Sequence, residues 1–322
     1  MHVSILIPVY NAEKHLPKCL ESCINQSFLD FEIVAVNDGS TDRSAEILDR
    51  YAASDSRIRV LHQANGGPNA ARKKALDTAT GTWILFVDSD DFIPMDAVEK
   101  LVGKSKENDY DIVLGNATLV AGTTSTPLTN RLPDNLCPAE LITALFNGSI
   151  MAGPVAKLIK SEIIRSIDLP PKLIVSEDTV MNILLFNKTQ KIGTITDNTY
   201  NYIQHADSLT HRLSERSNNS IPMVCLWCLD YFQDKPYAKE KLFRIQLQRW
   251  ILVWYATFLY NGGQPVLSPR LTALVNNDFL YDRKSTALLP RERRILLGLF
   301  RHNQAIGRLA VTLHRSVRKV LR

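Results

Sequence analysis

No stretch of this 322-residue chain is apolar for long enough to cross a membrane as a helix. The most hydrophobic run, WILVWYATFLY at 250–260, falls well short of the roughly 20 residues such a span requires. A basic region followed by a signal-type apolar run is also missing at the start. MHVSILIPVY enters a strand-like pattern at once, so a cytoplasmic location is expected. Cysteine is scarce: Cys19, Cys23, Cys137, Cys225 and Cys228 are odd in number and too sparse for a disulfide framework. Cys225 and Cys228 form a CxxC, but its middle is Leu226-Trp227 in an apolar stretch and no second pair exists, so core packing is expected. Internal repeats and low-complexity segments are absent.

Acids are nearly missing from one end. Between Pro290 and Arg322 a single acid, Glu292, stands against nine basic residues, while the whole chain carries only +5. That asymmetry predicts an anionic partner. Ile295, Leu296, Leu299, Ile306, Leu309, Leu313, Val317 and Val320 recur at roughly helical spacing among the arginines. Together they make an interfacial helix suited to an anionic membrane surface. Nothing upstream reads bases, so no nucleic acid is expected.

What the chain does have is alternation. SILIPVY (4–10), FEIVAVND (31–38), IRVLHQ (58–63), TWILFVD (82–88) and DYDIVLGNA (109–117) read as buried strands. Helical patterns fall between them at 13–26, after Thr41 or Asp42 as a cap, and from about Pro68 to Ala79. Strands and helices alternating through short connections predict an α/β fold with a mainly parallel sheet. Residues 120–135 read as a polar loop, and from about 218 the pattern is mainly helical, with Trp227, Trp250 and Trp254 on apolar faces. The expected division is 1–212, with halves 1–117 and 118–212, followed by a helical region 213–322 that ends in the basic tail 290–322.

Ligands of parallel sheets gather beyond the carboxyl ends of the strands, and four such loops carry polar chemistry here. FVDSDD (86–91) brings Asp88, Asp90 and Asp91 together where like charges repel. A helix cap explains one acid, whereas a D-x-D at a strand end can aim two carboxylates at a hard cation, Mg²⁺ or Mn²⁺. VNDGSTD places Asp38 at the end of the second strand, where its carboxylate can accept from a base N–H or a ribose hydroxyl. NGGPNAARKKA has paired glycines that let backbone approach a ligand, followed by Arg72.

These blocks, with GPVAKLIKSEII and SEDTVMN later on, resemble glycosyltransferase family 2 over roughly residues 3–210. The family comprises inverting nucleotide-sugar transferases of the GT-A, Rossmann-like fold. The resemblance implies that Pro8, Tyr10 and Asp38 bind the nucleotide base, usually uracil, and that Arg72, Asp88 and Ser89 help to hold the nucleotide. Asp90, with Asp88, is the implied metal ligand. A late-loop histidine, His205 with His211 as the substitute, completes the shell. Asp178 is the implied catalytic base beside Glu177. Ala71-Arg72-Lys73-Lys74-Ala75 departs from the family's Ala-Arg-Asn-x-Gly, and Lys73 adds a charge near the proposed diphosphate.

The reading is a metal-dependent hexosyl- or N-acetylhexosaminyl-transferase using a UDP-linked donor. Its acceptor would be a glycan or lipid-linked glycan of surface polysaccharide or lipopolysaccharide synthesis, met on the inner face of the cytoplasmic membrane. Three other classes are disfavoured. A sugar-nucleotide pyrophosphorylase wants a Gly-rich, Arg-containing signature where this chain has PVYNAEKHL, and a D-x-D-x-T phosphatase wants Thr where Phe92 stands. A non-catalytic binding protein of the same fold would have a broken D-x-D or lack the base.

Overall fold

The computed structural model describes residues 2–128, 132–168, 176–204 and 215–263, with scattered positions between 269 and 311. The elements in order are β1 (Val3–Val9), α1 (Leu16–Ile24), β2 (Phe31–Asp38), α2 (Ser44–Ser54), β3 (Ile58–Gln63), α3 (Pro68–Thr78), β4 (Trp83–Phe86), α4 (Ala97–Ser105), β5 (Ile112–Ala121), β6 (Thr124–Leu128), α5 (Pro138–Phe146), β7 (Lys157–Lys160), α6 (Ser161–Arg165), α7 (Glu177–Lys188), β8 (Ile192–Ile203), α8 (Glu215–Phe232) and α9 (Lys241–Tyr260). They fall into two compact units. One takes residues up to Pro138 with two later pieces, starting at Ser149 and at Asp178; the other takes Ala139–Gly148 and the helices from α8 onward.

The first unit is an eight-stranded sheet in the order β3-β2-β1-β4-β7-β5-β6, with β8 pairing β5. β1, β2, β3 and β4 are mutually parallel. β7 runs antiparallel to both β4 and β5, and β8 is parallel to β5, so the sheet is mixed but mainly one-directional. β1 and β2 are largely apolar because they sit inside the sheet with both faces covered: Ile5, Leu6, Ile7, Ile33, Val34, Ala35 and Val36 are fully buried. α1 turns Leu16, Cys19, Leu20 and Cys23 inward, the i, i+3, i+4, i+7 stripe of an amphipathic helix.

Two expectations need correcting. Part of the 120–135 stretch is a hairpin, not a loop: β5 runs on to Ala121, turns through Gly122 at φ +58° and returns as β6. β6 reads TSTPL and is exposed along most of its length, so it carries no apolar alternation for a sequence to display. Its Pro127 is tolerated because β6 is an edge strand. Neither Thr41 nor Asp42 is the cap of α2: Arg43 holds that position, and Asp42 Oδ1 instead accepts from the Ser44 amide at 3.0 Å.

In the second unit, Phe146 of α5 meets Phe232 of α8 and Phe243 of α9 edge-on, with ring centres 6.0 and 6.1 Å apart. Such pairs add to the area they bury. Cys225 and Cys228 are free and fully buried in α8, as core packing expects. No helix among the described residues is long and apolar enough to cross a membrane.

Candidate active site

The parallel quartet β1–β4 releases four loops at one edge, and hydrogen bonds lace them together. After β1, Asn11 adopts φ +49°; its amide donates to Ser40 Oγ at 3.0 Å and its Oδ1 accepts from the Thr41 amide at 2.8 Å. The loops after β1 and β2 are thereby fixed to each other. Tyr10 stands half exposed at this edge and Pro8 is partly exposed.

Asp38 is only 2% exposed and already occupied. Its carboxylate accepts from Gln63 Nε2 at 2.6 Å and from the amides of Gly66 and Gly67 at 2.9 and 2.8 Å. An ionised carboxylate has about four acceptor sites, so three are spent on the end of β3 and the loop before α3. The glycine pair that the sequence offered to a ligand thus turns its amides to Asp38. Close approach of backbone is nonetheless real at Gly39: φ is +71°, and a Cβ there would lie 2.7 Å from the Asn65 nitrogen.

The three aspartates of FVDSDD separate into two roles. Asp91 is 2% exposed and turned inward, accepting from Tyr200 Oη at 2.6 Å and the Ile203 amide at 2.7 Å. Burial first, then the charges of Asp88 and Asp90, push its pKa up to about 8 against these two hydrogen bonds. Tyr200 Oη also accepts from the Asp88 amide at 3.1 Å. Asp91 is therefore a strut that ties β8 beneath the D-x-D turn, and it does not join a cation site. Asp88 and Asp90 stay partly open to solvent while Ser89 is buried.

Arg72, on the second turn of α3 and 5% exposed, joins the two halves of the site. Its Nη2 donates to Asp88 Oδ1 at 3.1 Å and its Nη1 to Asp178 Oδ1 at 2.8 Å. Asp178, 106 residues further along the chain, thus meets the D-x-D through one guanidinium. Its side chain is about 31% open, which leaves it reachable. The surrounding protein raises its pKa above the usual carboxylate value; Arg72 and, less strongly, Lys157 pull it down, and Asp88 pushes it up. Glu177 starts α7 and is partly exposed, where a carboxylate suits the helix dipole.

The donor set suits a divalent metal only in part. Among the described residues no three His, Cys, Asp or Glu side chains converge for a metal ion. Asp88 and Asp90 would offer only carboxylate oxygens, the ligand type that Mg²⁺ or Mn²⁺ takes together with substrate phosphates and water. His205 and His211 lie outside the described residues, as does most of the basic tail 290–322.

Sequence reasoning missed three participants. Tyr200, the first residue of YNYIQ, carries no signal there. Lys157, whose ammonium donates to the carbonyls of Met151, Gly153 and Val155, and Asn182, whose amide donates to Asp178 O, sit inside the blocks GPVAKLIKSEII and SEDTVMN; a charged residue in a buried strand pattern was the cue that Lys157 offered.

A family profile described as Glycosyl transferase family 2 matches residues 4–159. The chain is 32% identical to the putative glycosyltransferase EpsH of Bacillus subtilis (strain 168), over 85% of this chain and 81% of that protein. It is 35% identical to the poly(ribitol-phosphate) beta-glucosyltransferase of Bacillus spizizenii, over 64% of this chain but only 33% of that relative. The S. aureus TarS 1–349 structure in complex with UDP-GlcNAc matches its fold with a TM-score of 0.69 at 22% identity, over 99% of this chain and 92% of that one.

Proposed function

The chain belongs to glycosyl transferase family 2, and from that premise we propose that it moves a sugar from a UDP-linked donor to a hydroxyl of a glycan, with inversion at the anomeric carbon. The observation that carries the reading is the Arg72 bridge, which brings a donor-side acid, Asp88, and a base, Asp178, onto one guanidinium. Pro8, Tyr10 and the remaining acceptor capacity of Asp38 would hold the base, and Ser89 would line the nucleotide side of the turn. Asp88 and Asp90 would hold a divalent cation that, when bound, offsets the charge developing on the departing diphosphate.

Asp178 then works as general base. It takes the proton of the acceptor hydroxyl as that oxygen attacks the anomeric carbon, while the bond from that carbon to the diphosphate oxygen breaks on the opposite face. A raised pKa suits this task, since a base works best when its pKa approaches the working pH. Arg72 keeps the carboxylate ionised and aimed, and Glu177 supports the start of α7. A poly(ribitol-phosphate) relative supports a surface polysaccharide as acceptor. The arginine-rich stretch 290–322 supports docking on the anionic inner face of the membrane, where lipid-linked acceptors would be met.

Calorimetric titration of UDP into the wild type and Asp90→Ala, with and without Mn²⁺, tests the donor half. Metal-dependent binding that disappears in the variant is expected. No binding to the folded wild type would rule out a UDP donor, and binding indifferent to metal would return the aspartates to a capping role. A donor screen with Asp178→Asn as the inactive control tests the base.

A further inference from the structure

Lys157, at the head of β7, is 2% exposed and carries a charge into the sheet. Its ammonium donates to three backbone carbonyls of the preceding segment: Gly153 at 2.6 Å, Met151 at 3.0 Å and Val155 at 3.3 Å. Three donors meet three acceptors, the full capacity of an ammonium. The segment is not regular structure, and it holds Ala156 at φ +56°, a conformation that tertiary contacts must impose on a residue with a Cβ.

A second side chain grips the same segment from α7. Asn182 Nδ2 donates to the Ala152 carbonyl, to Gly153 O at 3.4 Å and to Asp178 O at 3.1 Å. The amide therefore joins the segment to the residue that carries the proposed base, one helical turn away. Its own Oδ1 is buried without a hydrogen-bond partner. An orphaned acceptor costs stability, and the bonds its NH₂ makes are what stands against that cost.

We propose that Lys157 and Asn182 are positioning residues of the transfer reaction: they clamp the 151–156 segment to the first turn of α7 and so fix where the Asp178 carboxylate points. The clamp rests on Asp178 being the base. Asp178 is the charged group that faces Lys157; the 151–156 segment, β4 and β5 contribute no ionisable side chain to its surroundings. Burial brings the pKa of Lys157 down to about 7. A neutral amine has only two donors and turns a lone pair at the third carbonyl, so the clamp loosens as pH rises through that range.

Hydrogen–deuterium exchange on the full chain tests the clamp without needing a substrate. Lys157→Met and Asn182→Ala should each speed exchange by about tenfold, the worth of one buried hydrogen bond, in peptides covering 149–157 and 177–186. Peptides from β1 to β3 should be unchanged. In the wild type, exchange of 149–157, corrected for its intrinsic pH dependence, should rise above pH 7, and in Lys157→Met it should not. With UDP-GlcNAc as probe, both variants should keep the UDP affinity and lose turnover. Unaltered exchange at 177–186 in Asn182→Ala overturns the clamp, and that variant decides the matter if Lys157→Met fails to fold. Full turnover by Asp178→Asn would instead overturn the base and leave the exchange result standing.

Discussion

Arg72→Met removes one cation from between two carboxylates and keeps much of the volume. Two charge-assisted hydrogen bonds are lost, to Asp88 at 3.1 Å and to Asp178 at 2.8 Å. Breaking a fully buried pair costs about 3–5 kcal/mol, but these carboxylates are 30% and 31% open and regain water. Discounted for that exposure, the loss is about 2 kcal/mol, or a fall of about 4–8 °C in Tm for a unit of this size. The chemical consequence is sharper. Arg72 is the largest influence lowering the pKa of Asp178, while burial and Asp88 raise it. Without the guanidinium the carboxylate holds its proton to higher pH, and a general base works only when ionised. The acid limb of the turnover profile should therefore move to higher pH, and activity below neutrality should fall about tenfold for each pH unit of that movement. Thermal denaturation and the pH dependence of turnover, in the wild type and in Arg72→Met with and without Asp88→Asn, measure both effects. Removing the Asp88 charge should return part of the shift. An unmoved acid limb together with a tenfold loss of UDP affinity would refute the counter-charge role and assign the guanidinium to the phosphates.

Two other substitutions probe the supports. Tyr200→Phe leaves the Asp88 amide and Asp91 Oδ2 without their shared hydroxyl; it should cost about 1–3 kcal/mol and weaken metal-dependent UDP binding, and a Tm equal to wild type would show that β8 does not hold the D-x-D turn. Gly39→Ala places a Cβ 2.7 Å from the Asn65 nitrogen at φ +71°, so it should cost about 1–2 kcal/mol and displace the loop that Asp38 fastens, read as weaker UDP binding by a chain that still folds; unchanged affinity would separate that loop from the nucleotide.

The strands that face no water were the most legible part of the chain. β1, β2 and β4 are written as largely apolar runs because a sheet covered on both faces admits little else, and the polar loops that follow them stand out by contrast. β6 was invisible for the opposite reason: an exposed edge strand of threonine, serine and proline owes its conformation to pairing with β5, a long-range cause with no local pattern.

At the site, the sequence by itself determined the residue types and their order: two acids two apart after a strand, a glycine pair before an arginine, a later Glu-Asp at a helix start. These are local statements, set by what short stretches of chain can do. Which of them act together was decided by the tertiary structure. Only folding put Asp178 on the same guanidinium as Asp88, 90 residues away in sequence, and only folding spent Asp38 on backbone amides and turned Asp91 inward against Tyr200. The physical reason is that a charge takes its role from the partners and the water left around it, and both are properties of the packed chain.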